Sequence, residues 1–584
     1  MDTEGPIDSA AAVSAPAPSL PVARVRPVTA VSRRDLLVMA ILLFCSILVT
    51  GYDTYIDNHS LQLPIVDRLA DPSAYPGDPF VDTAPYYASV LWRLVAMVSP
   101  VVPPLVQLGV LFVLERLLLL LAFRELARAM APGSRLAELG AMAFVALAPK
   151  PVIAEGTIVT SYMEQTGLAI PFFVLAMASY LRDRPLACAA FMGLGFNFNS
   201  LYGIYFATYL GAMTVFDGTW RRLWPRWLAA GGIFLLVALP GLLMSLGAYA
   251  RHEADPQLWV WVSRVRFPHH LYPLTWGKAV LTRFLLLFGL VLATAWVNRD
   301  LVGRLGARVL AWCSNGALWI TVAIVAPVLS IPRLLMLQPG RACDLWEAFA
   351  AVFVLSVMAR RLEESRIEPR LGMLLFLGSI FIWFAPPTML LLLALLVVGL
   401  LVHAEPASRE SWVRRLTPVV MTLVVAGALA AFGLRALQRH SLRAALGSRP
   451  SPAIVELAKW AEGHTPRDAV FLVDPAWSEF RPLAHRPLFT TWKDGAAALW
   501  DRTFVGEWTD RMSAFGLYPG APITSKQARA LIADRFAQLS DEEVLRLRDR
   551  YRVSYWIVPI SHPSALPVAF ETRFYRVLAV DGTL

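Results

Sequence analysis

Apolar runs recur from Leu36 to Leu434, parted by short stretches that hold most of the charge of that region. About 20 apolar residues cross a bilayer as a helix, and inside the hydrocarbon each backbone N–H and C=O must find its partner within the segment. The pattern therefore restricts the chain to an α-helical integral membrane fold. Of the 584 residues, 57% are apolar and 16% charged, whereas a soluble domain carries about 25% charge. A soluble enzyme is excluded.

The runs fall at 36–52, 102–123, 136–149, 165–181, 186–196, 199–215, 227–248, 279–297, 310–329, 342–359, 371–384, 386–402 and 416–434, which predicts about 13 transmembrane helices. That count holds to within about two, because the pairs around Asn197 and around Pro386-Pro387 also read as single kinked helices. The net charge of +10 does not point to nucleic acid, since the basic residues lie between the runs and not along one soluble face. With the N-terminus inside, the inner loops carry 22 Lys and Arg and the outer loops 9, the bias expected of a cytoplasmic side. An odd number of spans then puts the C-terminal region outside, and the expected location is the inner membrane of a bacterium. Residues 1–32, rich in Ala, Pro, Val and Ser without a helical period, are expected to form a disordered tail ahead of a transmembrane domain at 33–434. Cys45, Cys188, Cys313 and Cys343 lie in or beside apolar runs and read as small packing residues.

Residues 435–584 differ in kind. They hold 20 basic and 16 acidic residues in 150, or 24%, which is ordinary for a soluble domain. An apolar-periodic helix near 453–462, the strand-like Ala469 to Val473, helices near 525–536 and 541–550, and strands at Ser554 to Pro559 and Phe574 to Val580 predict a soluble α/β domain.

Any chemistry has to come from the outer loops. The first, 53–85, sets Asp53, Asp57, Asp67, Asp71, Asp78 and Asp82 against a single Arg68. Asp71-Pro72 and Asp78-Pro79 also read as turn starts and Asp67 as the partner of Arg68 in a simply solvated loop, but the surrounding tyrosines and aliphatic residues indicate a packed loop. Carboxylates held in such a loop are candidates for general-base work. The second outer loop, 150–166, carries Glu155 and Glu164; either Lys150 pairs with Glu155, or one acid joins the first-loop aspartates around a divalent cation through hard oxygen ligands. In the fourth, Arg264, Arg266, His269 and His270 stand among Trp259, Trp261, Phe267, Tyr272 and Trp276. Arginine suits bidentate phosphate binding, and aromatics at a membrane surface suit a lipid or sugar face, with headgroup anchoring as the plainer reading. A fifth segment, 331–344, places Arg333 and Arg341 at the mouth of an apolar helix, where an arginine either serves function or snorkels. Glu115-Arg116, inside the second run, reads as an internal ion pair.

This arrangement of an acidic first outer loop, many short helices, basic aromatic loops and a soluble C-terminal α/β domain resembles the GT-C superfamily of multi-spanning membrane glycosyltransferases. The run Tyr55-Ile56-Asp57-Asn58-His59-Ser60-Leu61-Gln62-Leu63-Pro64, then Asp71-Pro72 to Asp78-Pro79-Phe80, looks like bacterial members without an assigned substrate. So does the stretch from Thr465-Pro466-Arg467-Asp468-Ala469 to Arg486-Pro487 and Trp492-Lys493, which is also similar to the soluble part of oligosaccharyltransferase catalytic subunits. The resemblance implies a polyprenyl-phosphate sugar or glycan donor, transfer at the non-cytoplasmic face, and membrane lipid as the chain's surroundings. It implies Asp57 as catalytic base with Asp53 second, Asp78 and Glu164 as ligands to a divalent cation such as Mg or Mn, and Arg264, Arg266, His269 and Arg341 as substrate contacts. Two departures stand out: no adjacent Asp-Glu pair follows the first span, as in protein mannosyltransferases and lipid A aminoarabinose transferases, and the Trp-Trp-Asp signature of oligosaccharyltransferases is absent. A transporter or flippase of a lipid-linked glycan would instead set charges inside the spans along a pathway, and a silent envelope assembly protein would need only the C-terminal domain as a binding surface.

Overall fold

The computed structural model describes residues 32–147, 158–250, 255–364, 368–384 and 412–582. The expected tail, the span at 386–402, and the pair Lys150 and Glu155 lie outside the described residues. The first helix, Arg33–Thr50, starts where the sequence gives it a capping box: the Ser32 hydroxyl accepts from the Asp35 N–H at 3.1 Å and the Asp35 carboxylate accepts from the Ser32 N–H at 3.3 Å. It ends at Gly51, whose φ of +68° suits glycine, and where a Cβ would meet the Arg435 guanidinium at 2.9 Å.

Six helices among the described residues are long and apolar enough to cross a membrane: Pro104–Met130, Trp224–Tyr249, Lys278–Val297, Arg304–Val328, Pro332–Glu364 and Pro418–Gln438. The count of about 13 is thus not reproduced. Gln165–Leu181, Pro185–Phe198 and Ser200–Phe216 are apolar but short, the last two parted at Asn199, whose side chain caps the second. Arg135–Ala146 has only 12 residues and is buried from Leu136 onward. Apolar character alone does not separate a lipid-facing helix from a buried one. Ala342–Glu364 is buried on all sides from Ala342 to Ala359 because it fills the centre of the bundle, whereas Leu235, Leu236, Leu239, Leu243 and Leu246 on the helix Thr219–Tyr249 face outward to lipid. Small residues let helices touch: a Cβ on Gly193 would lie 2.9 Å from the Val237 Cβ.

Charged side chains gather by loop set. Asp35, Arg124, Arg128, Arg135 and Glu138 form one ion-pair network, with Arg182 on Glu125, Arg308 between Asp183 and Asp217, and Arg361 on Asp300. These residues come from the loops read as inner. The loops read as outer meet at the first-loop end of the bundle, where Arg435 and Arg439, closing the helix Trp412–Gln438, reach Val49 and Asp53 at the end of the first helix. The first and last of these helices therefore run in the same direction. A periplasmic-active reporter fused after Gln438 is expected to be active and one fused at residue 32 silent; the reverse pattern would overturn the inside-first orientation.

Beyond 451 a small α/β layer covers this end. Strands β1 (Val470–Leu472), β2 (Val553–Pro559), β3 (Val568–Glu571) and β4 (Tyr575–Ala579) form one sheet in the order β1-β2-β4-β3. β1 runs parallel to β2, and the β2–β4 and β3–β4 pairs are antiparallel. Helices Pro452–His464, Ser525–Ala537 and Asp541–Tyr551 pack on it. Its apolar cluster is continuous with the outer loops, since Trp556, Trp508, Phe489 and Phe515 share one core with Ile65, Phe80, Trp259 and Leu271.

Candidate active site

The loop after the first helix is held out of regular structure at two residues, Tyr55 with φ +63° and Asp57 with φ +47°. Asp tolerates the left-handed region better than most L-residues. The Asp57 carbonyl accepts from the Ser60 hydroxyl at 2.7 Å, and the helix His59–Ala70 starts directly after it. Asn58 donates to Glu164 at 3.2 Å, and the buried His59 ring bonds the Met163 carbonyl at 2.9 Å, so the loop is pinned to the segment before Gln165–Leu181. The Asp57 carboxylate is left 59% exposed, with Lys493 Nζ at 3.4 Å.

Two cavities meet behind it. The first, about 350 Å³, is lined by Glu164, Gln165, Arg266, His269, Arg341 and Lys493, and on its membrane side by Leu201, Ile204, Ala248 and Met336. The second, about 620 Å³, is lined by Asp57, Asp474, Glu479, Trp492 and Arg529, and shares Arg266, His269 and Lys493 with the first. Arg266 ends the helix Pro256–Arg266, donates from Nε to the Trp492 carbonyl at 2.9 Å, and is 5% exposed. Arg341 lies on the turn before Ala342–Glu364. Tyr205 and Tyr209 of the helix Ser200–Phe216 hold that turn by hydroxyl bonds to the Gln338 carbonyl at 2.9 Å and the Ala342 carbonyl at 3.2 Å. Tyr202, one turn earlier on the same face, bonds Asp344.

The field at the junction is strongly positive. Burial and the surrounding Arg266, Arg529, Lys493 and Arg341 push the His269 imidazole down to about 4, so it is neutral at pH 7. Burial, with Arg266 beside it, draws the Lys493 ammonium below its ordinary range against the pull of Asp57. Burial, aided by Asp57, raises the Glu164 carboxyl, although Arg341 and the Asn58 hydrogen bond oppose the rise. Such a site favours an anionic ligand.

Of the residues singled out from sequence, Asp57, Glu164, Arg266, His269 and Arg341 line these cavities. The others stand elsewhere. Asp53 is 2% exposed and takes Arg439 at 3.1 Å, Arg435 at 3.5 Å and the Ser448 N–H. Burial would raise its carboxyl, but these partners outweigh burial and hold it below the ordinary range. It ties the first loop to the end of the last long helix. Asp78 is fully buried, with Arg481 Nε at 2.7 Å, and Arg481 grips Asp494 through both amino groups at 2.8 and 2.7 Å. Arg264 is exposed, 5.8 Å over the Tyr272 ring. The expected divalent-cation ligands do not assemble: Asp78 is consumed by Arg481 and Glu164 by Asn58, and among the described residues no group of three His, Cys, Asp or Glu is placed to hold a metal ion. Glu115 and Arg116 do pair, at 3.2 Å in the bundle core. Lys493 and Arg529 are not among the residues singled out from sequence; both come from the C-terminal layer, and a signal for the first is its position in Trp492-Lys493.

Residues 452–515 match a family model described as a domain of unknown function, DUF6798. A search of curated proteins finds no match. Among solved structures the chain is similar to the oligosaccharyltransferase AglB from Archaeoglobus fulgidus in complex with an inhibitory peptide and a dolichol-phosphate, at 12% identity over 90% of this chain and 69% of that one, with a TM-score of 0.42. It is similar to the arabinofuranosyltransferase AftD from Mycobacteria at 16% identity over 92% of this chain and 36% of that one, TM-score 0.43. ArnT from Cupriavidus metallidurans bound to undecaprenyl phosphate is matched at 14% identity over 94% and 97%, TM-score 0.39. The chain is thus similar to an oligosaccharyltransferase, an arabinofuranosyltransferase and ArnT, each at no more than 16% identity. They are distant chains, and the function of this one has to be read from its own cavities.

Proposed function

We propose that the chain is an integral membrane glycosyltransferase that moves a sugar or glycan from a polyprenyl-phosphate-type lipid donor to an acceptor hydroxyl on the non-cytoplasmic face. The observation that carries this reading is the convergence of a solvent-facing carboxylate, Asp57, with Lys493, Arg266, Arg341 and Arg529 at the junction of two cavities, one of which has an aliphatic wall. In the transfer, a bond forms between the acceptor oxygen and the anomeric carbon, and the bond from that carbon to the lipid phosphate oxygen breaks. The acceptor proton goes to Asp57, and the electron pair of the broken bond stays on the departing phosphate. A hydroxyl is a poor nucleophile until a carboxylate takes its proton, and the charge gained by the phosphate is stabilised by preorganised cations. Leu201, Ile204 and Met336 suit the first units of a prenyl chain, with Arg266 and Arg341 at the phosphate. Lys493 links the two halves: it holds Asp57 in the free protein, and a bound phosphate competes for its ammonium and releases the carboxylate.

The test is a comparison of lipid-linked glycans in cells with and without the chain. Loss of the chain is expected to make the unconsumed lipid-linked donor accumulate and one glycan disappear. A donor pool unchanged in amount but shifted to the cytoplasmic leaflet would replace this reading with a flippase.

A further inference from the structure

The second cavity, the larger of the two, has a wall that the phosphate chemistry does not use. The turn after β1 carries Asp474 and Glu479 into it. That turn is built, since the Asp474 carboxylate accepts the Ala476 N–H at 2.9 Å, the Asp474 carbonyl accepts the Trp477 N–H at 2.8 Å, and the Pro475 carbonyl accepts the Trp492 N–H at 2.8 Å. Burial raises both carboxyls, and for Glu479 the neighbouring charge is Asp474, an acid. Neither forms an ion pair among the described residues, although three cations, Arg266, Lys493 and Arg529, face the same space. Between the two walls lies Trp492, flanked by the Arg266 and Arg529 guanidinium groups at 5.4 and 5.5 Å. It is 8% exposed, and its indole N–H is buried without a partner.

Opposite charges held apart across one cavity call for a ligand that donates on one side and accepts on the other. A metal or ammonium ligand suits the two carboxylates but meets three cations; a phosphate suits the cations but meets the carboxylates. A polyol does both, because each hydroxyl donates and accepts, and a cavity of about 620 Å³ falls within the usual range for a bound small molecule. Asp57 lines the same cavity, so a hydroxyl held there lies beside the proposed base.

We propose that this cavity is the acceptor subsite and that the acceptor is the neutral, polyhydroxylated end of a glycan, two of whose hydroxyls are held by Asp474 and Glu479 against Trp492. The word acceptor rests on the glycosyltransferase reading; the sugar site itself does not.

The experiment uses the full chain in lipid nanodiscs and saturation-transfer NMR with methyl glycosides of glucose, mannose, galactose and arabinose, and with glucuronate, glucosamine and a serine tripeptide as comparison probes. At least one methyl glycoside is expected to bind. Its affinity is expected to fall by roughly 10-fold or more in the Asp474→Asn/Glu479→Gln variant, as charge-assisted hydrogen bonds are lost. Trp492→Phe, which removes the indole N–H together with the fused second ring, is expected to weaken binding by about threefold and covers the case in which the double variant fails to fold. No binding by any methyl glycoside, preference for glucosamine or the tripeptide, or binding untouched by all three substitutions would overturn the subsite. If the glycoside binds as expected but Asp57→Asn transfers glycan normally in cells, the sugar site stands and the catalytic reading falls.

Discussion

Asp57→Asn is expected to lower glycan transfer by roughly 10²- to 10⁴-fold, the usual worth of a general base, while the protein stays in the membrane at the wild-type level. The substitution removes a proton acceptor and little else. Asn adopts the left-handed backbone required at φ +47° as readily as Asp, the Ser60 bond uses the carbonyl and not the side chain, and an exposed ion pair such as that with Lys493 contributes about 0–1 kcal/mol. Asp53→Asn is the matched control. Its carboxylate is buried between Arg435 and Arg439, so this variant is expected to lose protein from the membrane and keep the transfer per folded molecule. The readout is the cellular glycan and its lipid-linked precursor, normalised to membrane protein. Full transfer by the Asp57 variant would sink the base assignment, and a collapse of both variants in protein level alone would make the loop structural.

The contrast between these aspartates shows what the sequence can carry. All six first-loop acids look alike as a cluster, and for three of them the sorting partner is long-range. Asp53 is sorted by Arg439, Asp78 by Arg481 and Asp57 by Lys493, each about 400 residues away along the chain. Asp67, expected on the adjacent Arg68, instead accepts from the Tyr75 hydroxyl at 2.8 Å, and Arg68 goes to Asp82 at 2.6 Å, because residues side by side on a helix do not face each other. Lys493 carries a faint signal of its own: it is one of five lysines in a chain that otherwise takes its positive charge from arginine, and it stands between Trp492 and Asp494. The membrane runs were legible because burial in lipid needs length and apolarity, yet their number was not, because Ala342–Glu364 at the centre and Thr219–Tyr249 at the rim satisfy the same composition rule. β2 and β4 were visible as apolar strands. β3 was not, since Val568 and Glu571 of this edge strand are exposed and no alternation marks it.

Arg481→Met is expected to cost about 3–5 kcal/mol of stability, the range for removing one partner of a buried ion pair, and to release the C-terminal layer from the first loop. The guanidinium is fully buried and divides its donors between Asp78 at 2.7 Å and both oxygens of Asp494. Without it, two carboxylates remain in a dry place. Asp78 would keep the N–H groups of Phe80, Val81 and Leu488, and Asp494 those of Thr491, so each stays oriented while losing its counter-charge. A triple variant, Arg481→Met with Asp78→Asn and Asp494→Asn, is expected to recover much of the loss, because it removes the stranded charges and keeps the shape. Thermal unfolding in detergent and protease cleavage between residues 439 and 451 report the two effects; a single variant within about 1 kcal/mol of wild type would show that the apolar cluster alone docks the layer. The two outcomes bear differently on chemistry. Asp494 is the chain neighbour of Lys493, and Asp78 lies in the loop that carries Asp57, so the triad sets the span between the proposed base and the cation that holds it. The triple variant, restored in stability but anchored by weaker bonds, is therefore expected to regain its melting temperature more fully than its transfer rate.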